Sequence, residues 1–191
     1  MSFVTNYLNI RDFIKILVKY WLKGDCMEIF KDMQELQNIL RKNNFTITCA
    51  ESCTGGLISS KITEITGSSD IFKGAVITYC NEIKEQELNV NKQTMIKYGV
   101  VSCEVVAEML DGVLKKFDAS FAIGVSGIAG PSGGTKNKPV GTVVIGIKGI
   151  LNIEDINMYH FKGDRKNIQN QATNKAFELI FDKLQKLIKK A

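Results

Sequence analysis

Histidine is nearly missing from this sequence: His160 is the only one in 191 residues, and it falls in a segment that reads as a strand. A Ser-His-Asp triad would have to run through that single residue, and a zinc site would lack its usual nitrogen ligands. The five cysteines, Cys26, Cys49, Cys53, Cys80 and Cys103, are odd in number and include no C-x-x-C pair. That argues against a disulfide framework and against ordinary structural zinc, and it suits a reducing, cytoplasmic setting. No window offers the roughly 20 uninterrupted apolar residues of a membrane span, so no membrane partner is expected. The most apolar early stretch, Phe13 to Leu22, is interrupted by Lys15 and Lys19 and lacks a small-residue cleavage site, unlike a secretory leader.

What is present fits one domain with a real apolar core: 45% of residues are hydrophobic. The net charge is +5, from 25 Lys and Arg against 20 Asp and Glu. Much of the excess sits in Lys183, Lys186, Lys189 and Lys190, which reads as a solvated helix face. No aromatic platform or zinc finger accompanies it, so no nucleic-acid partner is expected. Arg11, Lys15 and Lys19 recur at intervals of four among Ile, Leu and aromatic residues, predicting a basic amphipathic helix from Tyr7 to Leu22. Gly24-Asp25 ends it.

A second helix is predicted from Met27 to Asn43, its apolar face carried by Ile29, Phe30, Met33, Leu36, Ile39 and Leu40. Phe45 to Cys49 alternates as a strand, and Leu57 to Ile65 has helical spacing. Between them lies Ala50-Glu51-Ser52-Cys53-Thr54-Gly55-Gly56. After the breaker Gly67-Ser68-Ser69-Asp70, the run Gly74 to Tyr79 reads as a buried strand, and Asn81 to Leu88 as a helix carrying Lys84. Ser102 opens a further helix. Phe121 to Val125 is a strand running into a glycine-rich segment that ends at Gly134, Thr142 to Ile147 and Ile156 to Phe161 form a hairpin, and a long helix spans about Asp164 to Lys189. Strands alternating with helices predict an α/β fold: a three-layer α/β/α arrangement with a mostly parallel sheet plus an antiparallel hairpin.

Ligands of open α/β sheets lie beyond the carboxyl ends of the strands. Three loops qualify: Ala50 to Gly56, Cys80 to Lys84, and Ser126 to Gly134. A serine without a histidine can be activated by a lysine or tyrosine whose proton affinity is lowered, so Ser52, Tyr79 and Lys84 are the polar set for a nucleophile and its base. The structural alternatives are ordinary. Ser52 and Thr54 could simply cap the next helix, Tyr79 could be a core tyrosine, and Lys84 a solvated side chain. Cys53 is a rival nucleophile, and Cys80 reads as buried strand-end material. The glycines from Gly124 to Gly134 match neither a phosphate-binding Walker loop nor a dinucleotide fingerprint. Asp164 can cap the final helix and Arg165 can pair with a phosphate.

Seven segments in register resemble one family: AESCTGG (50–56), GSS (67–69), VITYCNEIK (76–84), GVVS (99–102), GVSGIAGPSGG (124–134), KPVGTV (138–143) and FKGDR (161–165). Together they resemble the C-terminal domain of the competence/damage-inducible protein CinA, a family that also occurs as stand-alone nicotinamide-nucleotide amidohydrolase. The resemblance covers about Met27 to Ala191, leaving residues 1–26 as an N-terminal helical extension. It implies metal-free, cofactor-free hydrolysis of the carboxamide of nicotinamide mononucleotide to nicotinic acid mononucleotide and ammonia. Carried onto this sequence, it implies Ser52 as nucleophile with Tyr79 and Lys84 handling protons. Thr54, Ser69, Ser126 and Arg165 would belong to the substrate pocket, with Gly55 and Gly127 in the same loops. Cys80 stands where serine is common and Ser126 where threonine is common. The contrasting expectations are a nucleotide-binding module without turnover and an amidase for another small amide. A homodimer is also plausible.

Overall fold

The computed structural model describes residues 31–188. The predicted helix from Tyr7 to Leu22 and the boundary at residue 26 lie outside them. Within them, a five-stranded sheet has the order β2-β1-β3-β4-β5, built from β1 (Ile47–Glu51), β2 (Phe72–Ile77), β3 (Phe121–Gly127), β4 (Thr142–Gly149) and β5 (Ile153–His160). β1 runs parallel to both β2 and β3, and β4 is antiparallel to β3 and to β5. The sheet is therefore mixed: its first three strands in sequence are parallel and the late hairpin supplies the antiparallel pairs.

Side chains of the central strands divide between two cores because successive residues point to opposite faces. Ile47, Cys49, Phe121, Ile123, Val125, Val143, Ile145 and Ile147 form one face. It is covered by α1 (Lys31–Lys42), α2 (Leu57–Thr63) and α6 (Arg165–Ile188), which contribute Met33, Leu36, Leu40, Ile58, Ile62, Ile168, Ala172, Phe177, Ile180 and Leu184. The other face carries small residues, Ala50, Ala122, Gly124 and Gly146, and α5 (Cys103–Phe117) sits close on them. A β-carbon at Gly124 or Gly146 would come within 2.9 or 2.7 Å of Leu110. The same layer holds α3 (Asn81–Leu88) and α4 (Lys92–Tyr98). The chain is thus an α/β protein in three layers, and no helix among the described residues is long and apolar enough to cross a membrane.

Three expectations need correction. The segment expected as a buried strand after Gly74 is β2, an edge strand that is largely half-buried, and it ends at Ile77 so that Tyr79 lies beyond it. β1 starts and ends two residues later than its alternation suggests, which places Glu51 inside the sheet. α4 was not expected, being a seven-residue helix whose only buried member is Met95, capped by Asn91 through the N–H of Gln93. Ser102 does cap α5, accepting from Val105 N–H at 3.3 Å. α3 has the expected limits, Asn81 to Leu88.

The connection leaving β1 goes to the α2 face, whereas the one leaving β2 goes to the α3 face. Their carboxyl ends consequently part, and a crevice opens there, as at other topological switch points.

Candidate active site

Ser52 follows directly on β1. Its N–H donates to Val125 O at 3.0 Å, and the Cys53 carbonyl behind it accepts from Gln169 Nε2 of α6 at 2.7 Å. The turn then passes through Gly55 and Gly56, with φ of 62° and 101°, backbone that β-carbon-bearing residues rarely adopt. Thr78 continues the β2 line: its N–H donates to Glu51 O at 2.7 Å, which holds the next loop against Ser52.

Lys84 lies in the second turn of α3. Helical side chains lean toward the amino end of their helix, so its amine reaches back across Cys80 to the crevice. Nζ lies 3.2 Å from Ser52 Oγ and donates to Thr78 O at 2.6 Å. Only 2% of the residue is exposed, so it is not the solvated lysine of the ordinary alternative. Burial pushes its proton affinity below the ordinary 10.5, against an opposing pull from Cys80, Cys53 and Glu82. A neutral amine in this place gives one N–H to Thr78 O and keeps its lone pair for the Ser52 proton.

Tyr79 is placed differently from a proton relay. It is 60% exposed, and its hydroxyl accepts from Arg165 Nη2 rather than pairing with Ser52 or Lys84. Arg165, the first residue of α6, also donates through Nη1 to Gly130 O at 2.7 Å, so it joins the β2–α3 loop to the glycine-rich loop at the crevice mouth. The three loops do meet. At the end of β3, a β-carbon on Gly127 would lie 2.9 Å from Cys53 Sγ and 2.7 Å from Val143 Cγ2, so glycine allows that strand to close on the Ser52 turn.

The remaining residues singled out from the sequence divide. Thr54 is buried and spends its hydroxyl on Glu51 at 2.7 Å. Ser126 is buried with its hydroxyl on Val100 O at 2.8 Å. Gly55 borders open space. Ser69 sits in the short 3-10 turn Ser68–Asp70, before β2 begins, at the opposite end of the sheet from Ser52, and this chain's fold does not bring it to the crevice. Cys53 is buried, and burial above all, with Glu51 adding, pushes its thiol up to about 12 against its own backbone N–H, Arg165 and Lys84, which disfavours the reactive thiolate. Cys80 is exposed at the start of α3 rather than buried. His160 lies at the end of β5 against Thr142. Among the described residues no group of three His, Cys, Asp or Glu side chains could hold a metal ion.

Sequence reasoning passed over two residues. Glu51, fully buried, accepts the first N–H groups of α2, and Gln169 anchors Cys53. An acidic residue ending an apolar strand was a usable signal for the first; a glutamine on a polar helix gives none for the second.

The profile of the CinA C-terminal domain matches residues 30–184. This chain belongs to that family. A CinA-like protein of Fervidobacterium nodosum is 47% identical over 151 residues, covering 78% of this chain and 37% of the relative. One from Thermotoga neapolitana is 40% identical over 173 residues, 88% of this chain and 42% of the relative. The chain therefore spans well under half the length of these curated relatives. Among solved structures, the competence/damage inducible protein CihA of Agrobacterium tumefaciens is 33% identical with a TM-score of 0.78, over 82% of this chain and 95% of that one. A CinA superfamily protein from Klebsiella pneumoniae gives 28% and 0.79, over 83% and 99%. The CinA family relation covers the sheet and every loop of the crevice.

Proposed function

We propose that this CinA-family chain is an amidase that hydrolyses the carboxamide of nicotinamide mononucleotide to nicotinic acid mononucleotide and ammonia. The observation that carries the reading is the buried Lys84 amine 3.2 Å from Ser52 Oγ, a nucleophile and base arranged without histidine. Lys84 takes the Ser52 proton and the oxygen attacks the amide carbon. The N–H groups of Cys53 and Thr54 donate to no backbone carbonyl among the described residues, and as donors to the oxyanion each would contribute a typical ~3 kcal/mol. Lys84 then passes its proton to the departing nitrogen, because an amide anion is too basic to leave. Water, deprotonated by the same amine, clears the acyl group. With the Tyr79 hydroxyl engaged by Arg165, Lys84 is the first proton acceptor.

Arg165 uses one N–H from each terminal nitrogen on Gly130 and Tyr79, and its planar fork has further donors for the 5′-phosphate. Ammonia release from nicotinamide mononucleotide tests the proposal: release by the wild type and none by Ser52→Ala is the expected result, and binding without release by the wild type refutes it. Arg165→Ala is expected to raise KM roughly 30-fold, the loss of one charge-assisted contact, with kcat changed less. Unaltered KM would remove the phosphate role. Free nicotinamide should be a poor substrate for the same reason.

A further inference from the structure

Glu51 is the last residue of β1, immediately before the nucleophile, and it has no exposed surface. Its Oε2 accepts from Thr54 Oγ1 at 2.7 Å, Gly56 N–H at 2.9 Å and Ile58 N–H at 3.2 Å. Its Oε1 accepts from Ser59 N–H at 2.8 Å and Ser59 Oγ at 2.6 Å. No lysine or arginine among the described residues forms an ion pair with it. A buried carboxylate without such donors would be strongly unfavourable. Here the unpartnered N–H groups and positive end of α2 take its charge.

These five bonds run from the residue before Ser52 to residues on the far side of the turn, so they enclose the nucleophile. We propose that Glu51 is the positioning residue for Ser52, fixing its hydroxyl within reach of Lys84 and engaging the N–H groups of Gly56, Ile58 and Ser59 on the far side of the turn. This rests on Ser52 being the nucleophile. A carboxylate is required because both of its oxygens accept. In Glu51→Gln the amide NH2 must face one set of donors. The Thr54 and Ser59 hydroxyls can turn round to accept, but the N–H groups of Gly56, Ile58 and Ser59 cannot, so either orientation leaves at least one N–H facing a donor. The negative charge has a second effect, adding to burial in holding Cys53 as a thiol, so the hydroxyl beside it is the group left to react.

The test uses the whole chain and two readouts. One is the rate at which a fluorophosphonate modifies Ser52, forming a Ser52 O–P bond and releasing fluoride, with the Ser52 proton passing to Lys84. The other is kcat and KM for nicotinamide mononucleotide. In Glu51→Gln both the labelling rate and kcat should fall about 100-fold, the scale for a nucleophile displaced by about 1 Å, with KM within about threefold of wild type. Ser59→Ala removes a single donor remote from the substrate and should lower both rates roughly fivefold with the fold retained; it decides the matter if Glu51→Gln does not fold. A folded Glu51→Gln or Ser59→Ala protein labelled at the wild-type rate overturns the proposal. A wild type that labels but releases no ammonia sinks the substrate reading alone, since labelling still reports on Glu51. A wild-type Ser52 inert to the probe overturns both.

Discussion

Lys84→Met is expected to cut amide hydrolysis about 1,000-fold, the upper range for removing a positioned general base, while unfolding free energy at neutral pH stays within about 1 kcal/mol of wild type. The two outcomes have separate causes. On the proposed mechanism activity falls because no other base is placed to serve Ser52 among the described residues: Tyr79 is engaged by Arg165, and His160 lies against Thr142 on another part of the sheet. Stability is held by compensation. Methionine matches the length and flexibility of the lysine stem and spares the cost of a buried amine, but it orphans the Thr78 carbonyl that Lys84 now satisfies. The pH dependence identifies the group. Because burial lowers its proton affinity below 10.5, wild-type kcat/KM should rise with pH through a value below that of an ordinary lysine. Between the lowered folded value and the unfolded one, the unfolded chain binds the extra proton. The Lys84 contribution to stability is therefore unfavourable below that window and recovers as pH rises through it. Urea unfolding of both proteins across the alkaline range should show the stability of wild type relative to Lys84→Met improving as pH rises. An activity limb unmoved from the ordinary lysine range, or a difference that grows in the other direction, would remove Lys84 as a neutral base.

The fold was legible because its strongest signals are periodic. α1 and α5 follow apolar residues at helical spacing, and the buried β1 and β3 are short apolar runs bounded by small polar residues, so the α/β class followed from the alternation of strands and helices. Errors fell where periodicity carries little information. β2 resembles a buried strand in sequence because Ala75, Val76 and Ile77 are apolar, yet its position at the sheet edge leaves it half in solvent. α4 is too short for a repeating face. In the site, Ser52 and Lys84 could be named from residue type and loop position, but only the folded chain distinguishes a lysine folded inward from one in water. Ser69 shows the converse. It belongs to a recognisable motif, yet the 3-10 turn holds it a whole strand length from Ser52. Glu51 escaped because a carboxylate in an apolar run reads as an irregularity until five donors converge on it.

Gly112→Ala is expected to destabilise the protein by about 2 kcal/mol, against the gain of about 1 kcal/mol that alanine usually brings to a helix interior. Gly112 lies on α5 where α3 ends, and a β-carbon there would sit 2.1 Å from Leu88 O and 2.8 Å from Leu88 C and Cα. These are backbone atoms, so no side-chain rotation relieves the contact and one helix must shift. Leu88 is itself fully buried, which makes that shift costly. The exposed Lys116–Glu87 ion pair across the same interface contributes too little to hold the helices in register. The consequence reaches the crevice because Lys84 lies one turn before Leu88 on the same buried face of α3. Moving α3 outward lengthens the 3.2 Å separation from Ser52, so ammonia release should fall about 100-fold in protein that remains folded below its lowered melting temperature. The paired measurement is a urea midpoint and a kcat on the same sample. A raised midpoint would mean that helix propensity outweighs the overlap and α3 yields freely, whereas a lowered midpoint with unchanged kcat would mean that Lys84 keeps its place by moving independently of its helix.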